Sequence, residues 1–261
     1  MGEFVRLETS RNEKIGIIRL DRPKVNAINE QLGRELLEVA TEVEGRDDLR
    51  AVVLWGGPKI FAAGADIGAF PTGAGYRDPS DMIGPLLTAL FKIENLPQIT
   101  CAAVNGYALG GGCEVSMSTD FRICGEGARF GQPEILLGII PGGGGTQRLT
   151  RLVGVTRAKE IMYSGRMVPA AEALEIGLVS SVHPDDRVLD AAIDMLTPYA
   201  EGPAALANVK RAVLGGLHLD LEQAIALETR EFVASFQSED AMTGIASFLE
   251  QGPGKAKFSG H

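Results

Sequence analysis

Histidine is scarce in this chain of 261 residues, where only His183, His218 and His261 occur. None has a second histidine or a cysteine pair at zinc-ligand spacing, so no metal centre is expected. A histidine-activated nucleophile is disfavoured on the same ground, and no Gly-x-Ser-x-Gly elbow is present. Cysteine is sparse too. Its three residues, Cys101, Cys113 and Cys124, are an odd number that predicts free thiols in a reducing compartment, with Cys113 read as a buried, inert thiol. No apolar run approaches the ~20 residues that span a bilayer, and the first residues lack a basic-then-apolar leader. A soluble, cytoplasmic protein with no membrane partner is therefore expected. Positive charge is short: 25 Lys and Arg against 34 Asp and Glu leave −9, which argues against nucleic acid as a partner. Two nucleotide signatures also fail. Val115 stands where Gly110-Gly111-Gly112 would need a further glycine, and Ala256 follows Gly254-Lys255 where a phosphate loop needs Ser or Thr.

What the chain has in excess is glycine, 33 of 261 residues against a usual ~7%. Twelve of the 33 fall between Gly106 and Gly145, where a uniform spread would put about five. Collagen would need a three-residue period and a disordered chain a poorer apolar content, and neither applies. Clustering beside strand-like and helix-like segments means that the backbone has a particular task there.

The chain up to that window alternates between strand and helix signals. Strands are expected at 4–9, 14–20, 50–55 and 98–104, and helices after the Asn29 cap and over 80–94. That order predicts an α/β fold with crossover connections. Beyond the window, helices are expected from Thr156, Pro169, Arg187, Pro203, Leu219 and Glu239, with one strand at 178–182. The division is therefore an α/β core over 1–195 and a helical region over 196–261, with Gly252-Pro253-Gly254 suggesting a loosely held tail.

Three segments carry the chemistry. In the first, a strand runs through Asn105-Gly106-Tyr107-Ala108-Leu109 into Gly110-Gly111-Gly112-Cys113-Glu114, a glycine turn that opens a small-residue helix. Its free N–H groups can hold a developing oxyanion, and Glu114 lies about one turn in. In the second, Phe130 to Gly145, Glu134 sits in apolar sequence ahead of Gly142-Gly143-Gly144-Gly145. A carboxyl there tends to hold its proton and can deliver it. The third is Gly64-Ala65-Asp66, which follows a strand. Singly, each has an ordinary structural reading: a glutamate as a helix-dipole partner, glycines as turns, Asp66 and Asp120 as caps. Their succession along the chain is what points to a site.

The segments F-A-A-G-A-D-I (61–67), A-V-N-G-Y-A-L-G-G-G-C-E (103–114) and F-G-Q-P-E-I-L-L-G-I-I-P-G-G-G-G-T-Q-R-L (130–149) resemble the enoyl-CoA hydratase/isomerase (crotonase) family, and the likeness runs over essentially the whole chain. The resemblance implies a superhelix of ββα units with a C-terminal helical trimerisation region, assembled as a homotrimer or a dimer of trimers. It also implies an acyl-CoA thioester as ligand, with coenzyme A part of the substrate and no separate cofactor. On this likeness the backbone N–H groups of Ala65 and Gly111 hold the thioester oxygen. Glu114 and Glu134 flank a water, and Gly142 is a backbone donor beside them. Ala63, Asp66, Ile67, Gly68, Arg22, Lys24 and Lys255 match positions near the coenzyme A moiety.

The chain departs from that pattern in two places. Gly68 stands where many hydratases carry Lys, and Gln251-Gly252-Pro253-Gly254 replaces a more basic stretch. Arg22, Lys24, Lys255 and Lys257 could supply the missing positive charge, although each also reads as a solvated surface residue. The loop over 71–79, rich in Gly and Pro, is expected to border the acyl pocket. Three activities fit: hydration of a 2-trans-enoyl-CoA in the manner of fatty-acid β-oxidation, isomerisation or another reaction of a CoA thioester, and acyl-CoA binding without turnover.

Overall fold

The computed structural model describes residues 2–70 and 78–261. Most of the loop expected to border an acyl pocket, 71–77, lies outside the described residues.

A six-stranded sheet organises the fold. Strands β1 (Val5–Thr9), β2 (Ile15–Leu20), β3 (Ala51–Trp55), β4 (Ile99–Val104), β6 (Phe121–Gly125) and β9 (Ser181–His183) lie side by side in that order. Only the β1–β2 hairpin is antiparallel; every later pairing is parallel. Side chains alternate across this sheet with period two. Ile15, Ile17, Ala51, Val53, Cys101, Ala103 and Ile123 pack on α7 (Val188–Ala200). Ile18, Leu20, Val52, Leu54, Ala102, Val104 and Cys124 belong to the other core, with α1 (Glu30–Glu44) and α2 (Pro79–Glu94). Covered on both faces, β4 is buried at every position, in keeping with a run that is apolar apart from Thr100.

Asn29 caps α1, its side chain accepting the Leu32 N–H at 2.9 Å. Leu32, Leu36, Val39, Ala40 and Val43 then recur at helical spacing on the buried face. Asp78 caps α2 in the same way.

A second, three-stranded sheet was not legible from periodicity: β5 (Tyr107–Leu109), β7 (Arg129–Gly131) and β8 (Val168–Pro169). These strands have two or three residues each, too few to show an alternation. The sheet leads from the C-terminal end of β4 into α3 (Gly111–Met117), and a 3-10 turn (Pro133–Leu137) follows β7. Next come α4 (Gly145–Val153), α5 (Val155–Ser164) and α6 (Ala170–Glu175), then α7 across residue 195, then α8 (Ala205–Gly216), α9 (Leu221–Ser235) and α10 (Glu239–Gln251). The six helices expected after the glycine window are all present, each starting within about two residues of its expected position.

The tail differs from expectation, because it is fastened. Asp240, 2% exposed, accepts the N–H groups of Ser259 at 2.8 Å and Gly260 at 2.9 Å, and Arg50 donates to the Gly260 carbonyl. A buried carboxylate supplied with backbone donors overrides the looseness that Gly252-Pro253-Gly254 suggested. In α8, Lys210 is buried and donates to the Gln98 carbonyl and to Asp120, which also accepts from Thr100. Asp120 is thus a structural acceptor. Among the described residues, no helix is long and apolar enough to cross a membrane.

Candidate active site

The site forms where the small sheet meets the C-terminal ends of the parallel strands. Segment 61–66 threads between two neighbours. Ala62 pairs with Ala108, and Ala65 pairs with Ile28. In the latter bridge the Gly64 carbonyl accepts from the Ile28 N–H, and the Asp66 N–H donates to the Ile28 carbonyl, both at 2.8 Å. The intervening Ala65 N–H therefore points to the other side, and finds no acceptor among the described residues. Asn26 braces this arrangement, its amide donating at 2.9 Å to the carbonyls of Gly56 and Phe61.

The turn into α3 is built so tightly that it must be glycine. Gly110 has φ +50°, a left-handed conformation, and a Cβ on Gly112 would overlap the Ala62 carbonyl oxygen. Gly111, the first residue of α3, directs its N–H outward without an acceptor among the described residues. A Cβ placed on Gly111 would lie 4.0 Å from the Ala65 nitrogen and 3.9 Å from Glu114 Oε2. Two unengaged amides and a carboxylate thus border one small space.

Glu114 is 2% exposed. Its Oε1 accepts the Gly145 N–H at 2.7 Å, and Gly143 lies against Oε2 so closely that a Cβ there would overlap it. Burial pushes the Glu114 pKa up, opposed by the N–H groups of Gly145 and Gly143 and by the Arg148 charge. Glu134, in the 3-10 turn, is half-buried and faces the same glycine turn: a Cβ on Gly110 would stand 2.8 Å from its Oε1. Burial, and secondarily the charge of Glu114, push its pKa up to about 7. Gln132, fully buried, is 3.2 Å from each Glu134 oxygen when its amide nitrogen is turned toward them, the orientation that satisfies both groups.

Gly142 is exposed at the edge of the second glycine turn, close to Ile83 of α2. Its neighbours Gly143 and Gly145 are the residues whose amides serve Glu114. Arg148 closes the turn from behind. It donates to the Gly143 carbonyl at 3.0 Å, pairs with Glu94 at 2.8 and 3.3 Å, and lies over the Phe91 ring.

The expected coenzyme A residues separate into two groups. Arg22 donates to Asp66 at 2.7 Å and to the Ala27 carbonyl, the Ala63 N–H donates to the Val25 carbonyl, and Lys24 is exposed beside them. Arg22, Lys24, Ala63, Ala65, Asp66, Ile67 and Gly68 therefore share one rim, with Arg22 already paired. Lys255 is exposed on the tail, which Arg50 fastens at the start of β3, at the opposite end of the parallel strands from the site.

Sequence reasoning missed Gln132 and Arg148. Arg148 left a signal, since a basic residue in the first turn of a helix opposes the helix dipole and needs a local partner. Cys113 is buried with its thiol pushed up to about 12, in keeping with an inert side chain. Among the described residues, no cluster of His, Cys, Asp or Glu could hold a metal ion.

Comparison with known proteins gives one consistent answer. The family model for enoyl-CoA hydratase/isomerase matches residues 10–260. A probable enoyl-CoA hydratase of Mycobacterium tuberculosis is 40% identical over 249 residues, 92% of this chain and 93% of its own. A short-chain-enoyl-CoA hydratase of Clostridium acetobutylicum is 39% identical over 245 residues, 91% and 92% of the two chains. The crystal structure of an enoyl-CoA hydratase from Bacillus anthracis superposes with a TM-score of 0.90 at 34% identity, covering 99% of this chain and 100% of that one. By sequence and by fold, this chain belongs to the enoyl-CoA hydratase/isomerase family.

Proposed function

We propose that the protein is an enoyl-CoA hydratase, a lyase that adds water across the 2-trans double bond of an acyl-CoA thioester to give a 3-hydroxyacyl-CoA. The observation that carries this reading is the pair Glu114 and Glu134 facing the Gly110–Gly112 turn beside the unengaged amides of Ala65 and Gly111.

The two amides donate to the thioester oxygen and stabilise the enolate that forms when the water oxygen attacks the β-carbon. Donors of this kind are worth on the order of 3 kcal/mol each. Water lies between the carboxylates, its hydroxyl going to the β-carbon and its proton to Glu114. The proton for the α-carbon comes from Glu134, and passage of a proton from Glu114 back to Glu134 resets the pair. The surroundings favour this division. Glu114 has two amide donors and the Arg148 charge, which suit an anion, whereas Glu134 holds its proton to about pH 7. The two groups titrate as a pair, so activity should decline as pH rises through about 7 and the donor proton is lost.

Hydration is redox-neutral and coenzyme A enters with the substrate, so this reading needs no separate cofactor or metal. Lys24 is the exposed cation on the rim for a coenzyme A phosphate. The exposed apolar residues Phe232, Val233 and Phe236 of α9 and Phe248 and Leu249 of α10 suit burial between subunits, in a homotrimer or a dimer of trimers. Three unpaired cysteines suit a reducing, cytoplasmic setting.

Crotonyl-CoA hydration should be readily measured for the wild type. Glu134→Gln should lower kcat by a factor of about 10³ with KM within about twofold. Unchanged turnover in that variant overturns the mechanism. Turnover of a 3-enoyl-CoA in place of crotonyl-CoA would mean isomerisation, and tight thioester binding with no turnover would mean a binding protein.

A further inference from the structure

We infer that Arg148, clamped by Glu94, is a positioning residue for Glu114, acting through the Gly143 peptide. The inference rests on the hydratase reading, because it concerns how the base of that reaction is held.

Arg148 lies in the first turn of α4, where the helix's exposed N–H groups make a cation unfavourable on local grounds. Its side chain is nonetheless only 11% exposed and all three guanidinium nitrogens are engaged. Nε and Nη2 pair with the Glu94 carboxylate, while Nη1 donates to the Gly143 carbonyl at 3.0 Å. This two-sided grip needs the planar fork of arginine; an ammonium at the same place cannot reproduce it.

Gly143 is thereby held at both ends. Its carbonyl is fixed by Arg148, and its N–H faces the Glu114 carboxylate, with its Cα packed against Oε2. Two residues on, the Gly145 N–H fixes Oε1 at 2.7 Å. Glu94 ends α2, so the clamp also ties that helix to the glycine turn. Arg148 itself contacts Glu94, Gly143 and the Phe91 ring, and not the Ala65 and Gly111 amides that would hold the substrate oxygen.

Charge acts in the same direction as geometry. The ionisable groups facing Glu114 are few. Glu134 comes from the 3-10 turn, Arg148 from α4 with Glu94 of α2 behind it, and Cys113 from its own helix, with a thiol pushed up to about 12. Ile28 and the segment 62–65 contribute no ionisable side chain. Arg148 is therefore the cation that favours the Glu114 anion against burial and against Glu134.

The test is the pH profile of crotonyl-CoA hydration for wild type, Arg148→Gln, Arg148→Lys and Glu94→Gln, with circular dichroism and thermal melts as controls for folding. Arg148→Gln should lower kcat by about 10- to 100-fold, leave KM within about twofold, and move the acidic limb to higher pH. Arg148→Lys, which keeps charge but loses the fork, should keep the limb near its wild-type position and still lose kcat. Glu94→Gln should give a smaller loss, about 3- to 10-fold, because the guanidinium remains but is no longer anchored. Should Arg148→Gln fail to fold, the other two variants decide. Folded variants with wild-type kcat and an unmoved limb overturn the assignment while leaving the hydratase reading intact. A wild type that hydrates no 2-enoyl-CoA overturns the hydratase reading itself.

Discussion

Two glycine turns open two helices a short distance apart, and they use the same resource in opposite ways. Before α3, Gly110 to Gly112 leave the first helical N–H pointing into open space beside the Ala65 amide. Before α4, Gly143 and Gly145 direct theirs inward onto Glu114. On the proposed mechanism the first turn offers its donors to the thioester, and the second uses them to hold the side chain that takes the proton. A helix N-terminus has four unsatisfied amides, and the difference shows that they serve either to bind or to position. The constraints differ accordingly. The first turn is confined by backbone, since a Cβ at Gly112 meets the Ala62 carbonyl oxygen, whereas the second is confined at Gly143 by the Glu114 carboxylate, the far end of a side chain.

Substitution should therefore break the two turns differently. The largest effect is expected at Gly112. A methyl group there must displace the Ala62 peptide, which is hydrogen-bonded to Leu109 and Tyr107. Gly112→Ala should cost more than about 3 kcal/mol and reduce hydration at least 100-fold, read from the urea midpoint and the crotonyl-CoA assay. A variant of native stability would show that the first turn is looser than its contacts say.

Gly143→Ala should act on catalysis more than on folding. No left-handed backbone is required at Gly143, and the Glu114 carboxylate can swing aside. The expected cost is about 1 kcal/mol in stability, with a 10- to 100-fold loss in kcat because the base leaves its amide cradle. Equal losses of stability in Gly112→Ala and Gly143→Ala would erase the distinction between a binding turn and a positioning turn.

The same contrast explains what could be read without coordinates. Glu114 could be picked out as a candidate because it closely follows a glycine run, and Glu134 because it sits in apolar sequence ahead of a second run. The first four strands of the main sheet and the capped helix after Asn29 were legible because their apolar patterns extend over five residues or more, whereas β6, inside the glycine window, was not expected. The small sheet was not, since strands of two or three residues carry no period. Gln132 and Arg148 were hidden for another reason. Their roles depend on partners brought near by folding: Gly143 and Glu94 for Arg148, and for Gln132 a carboxylate that only the 3-10 turn folds back toward it. The fastened tail belongs with them, because Asp240 and Arg50 become its neighbours only when α10 packs.

The smallest expected effect sharpens the comparison between the two glutamates themselves. Glu114 has amide donors that compensate its charge, whereas Glu134 has a neutral amide neighbour and is left to keep its proton. A folded-state pKa of about 7, raised above the ordinary carboxyl value, means that the native state binds this proton more tightly than the unfolded chain. The stability tied to that proton is fully present below the unfolded-state pKa of about 4.3 and is lost as pH rises through about 7. Glu134→Gln removes the titration, so it should match wild type near pH 4 and exceed it at pH 8. After allowance for the screening of a half-exposed group, the gain should be on the order of 1 kcal/mol, or about 2–4 °C in Tm. Glu114→Gln, by contrast, should be destabilising at both pH values, because the glutamine nitrogen or oxygen must meet amides arranged for two carboxylate oxygens. A pH-independent difference between Glu134→Gln and wild type would mean that Glu134 is as well compensated as Glu114, and would remove the basis for assigning it the proton.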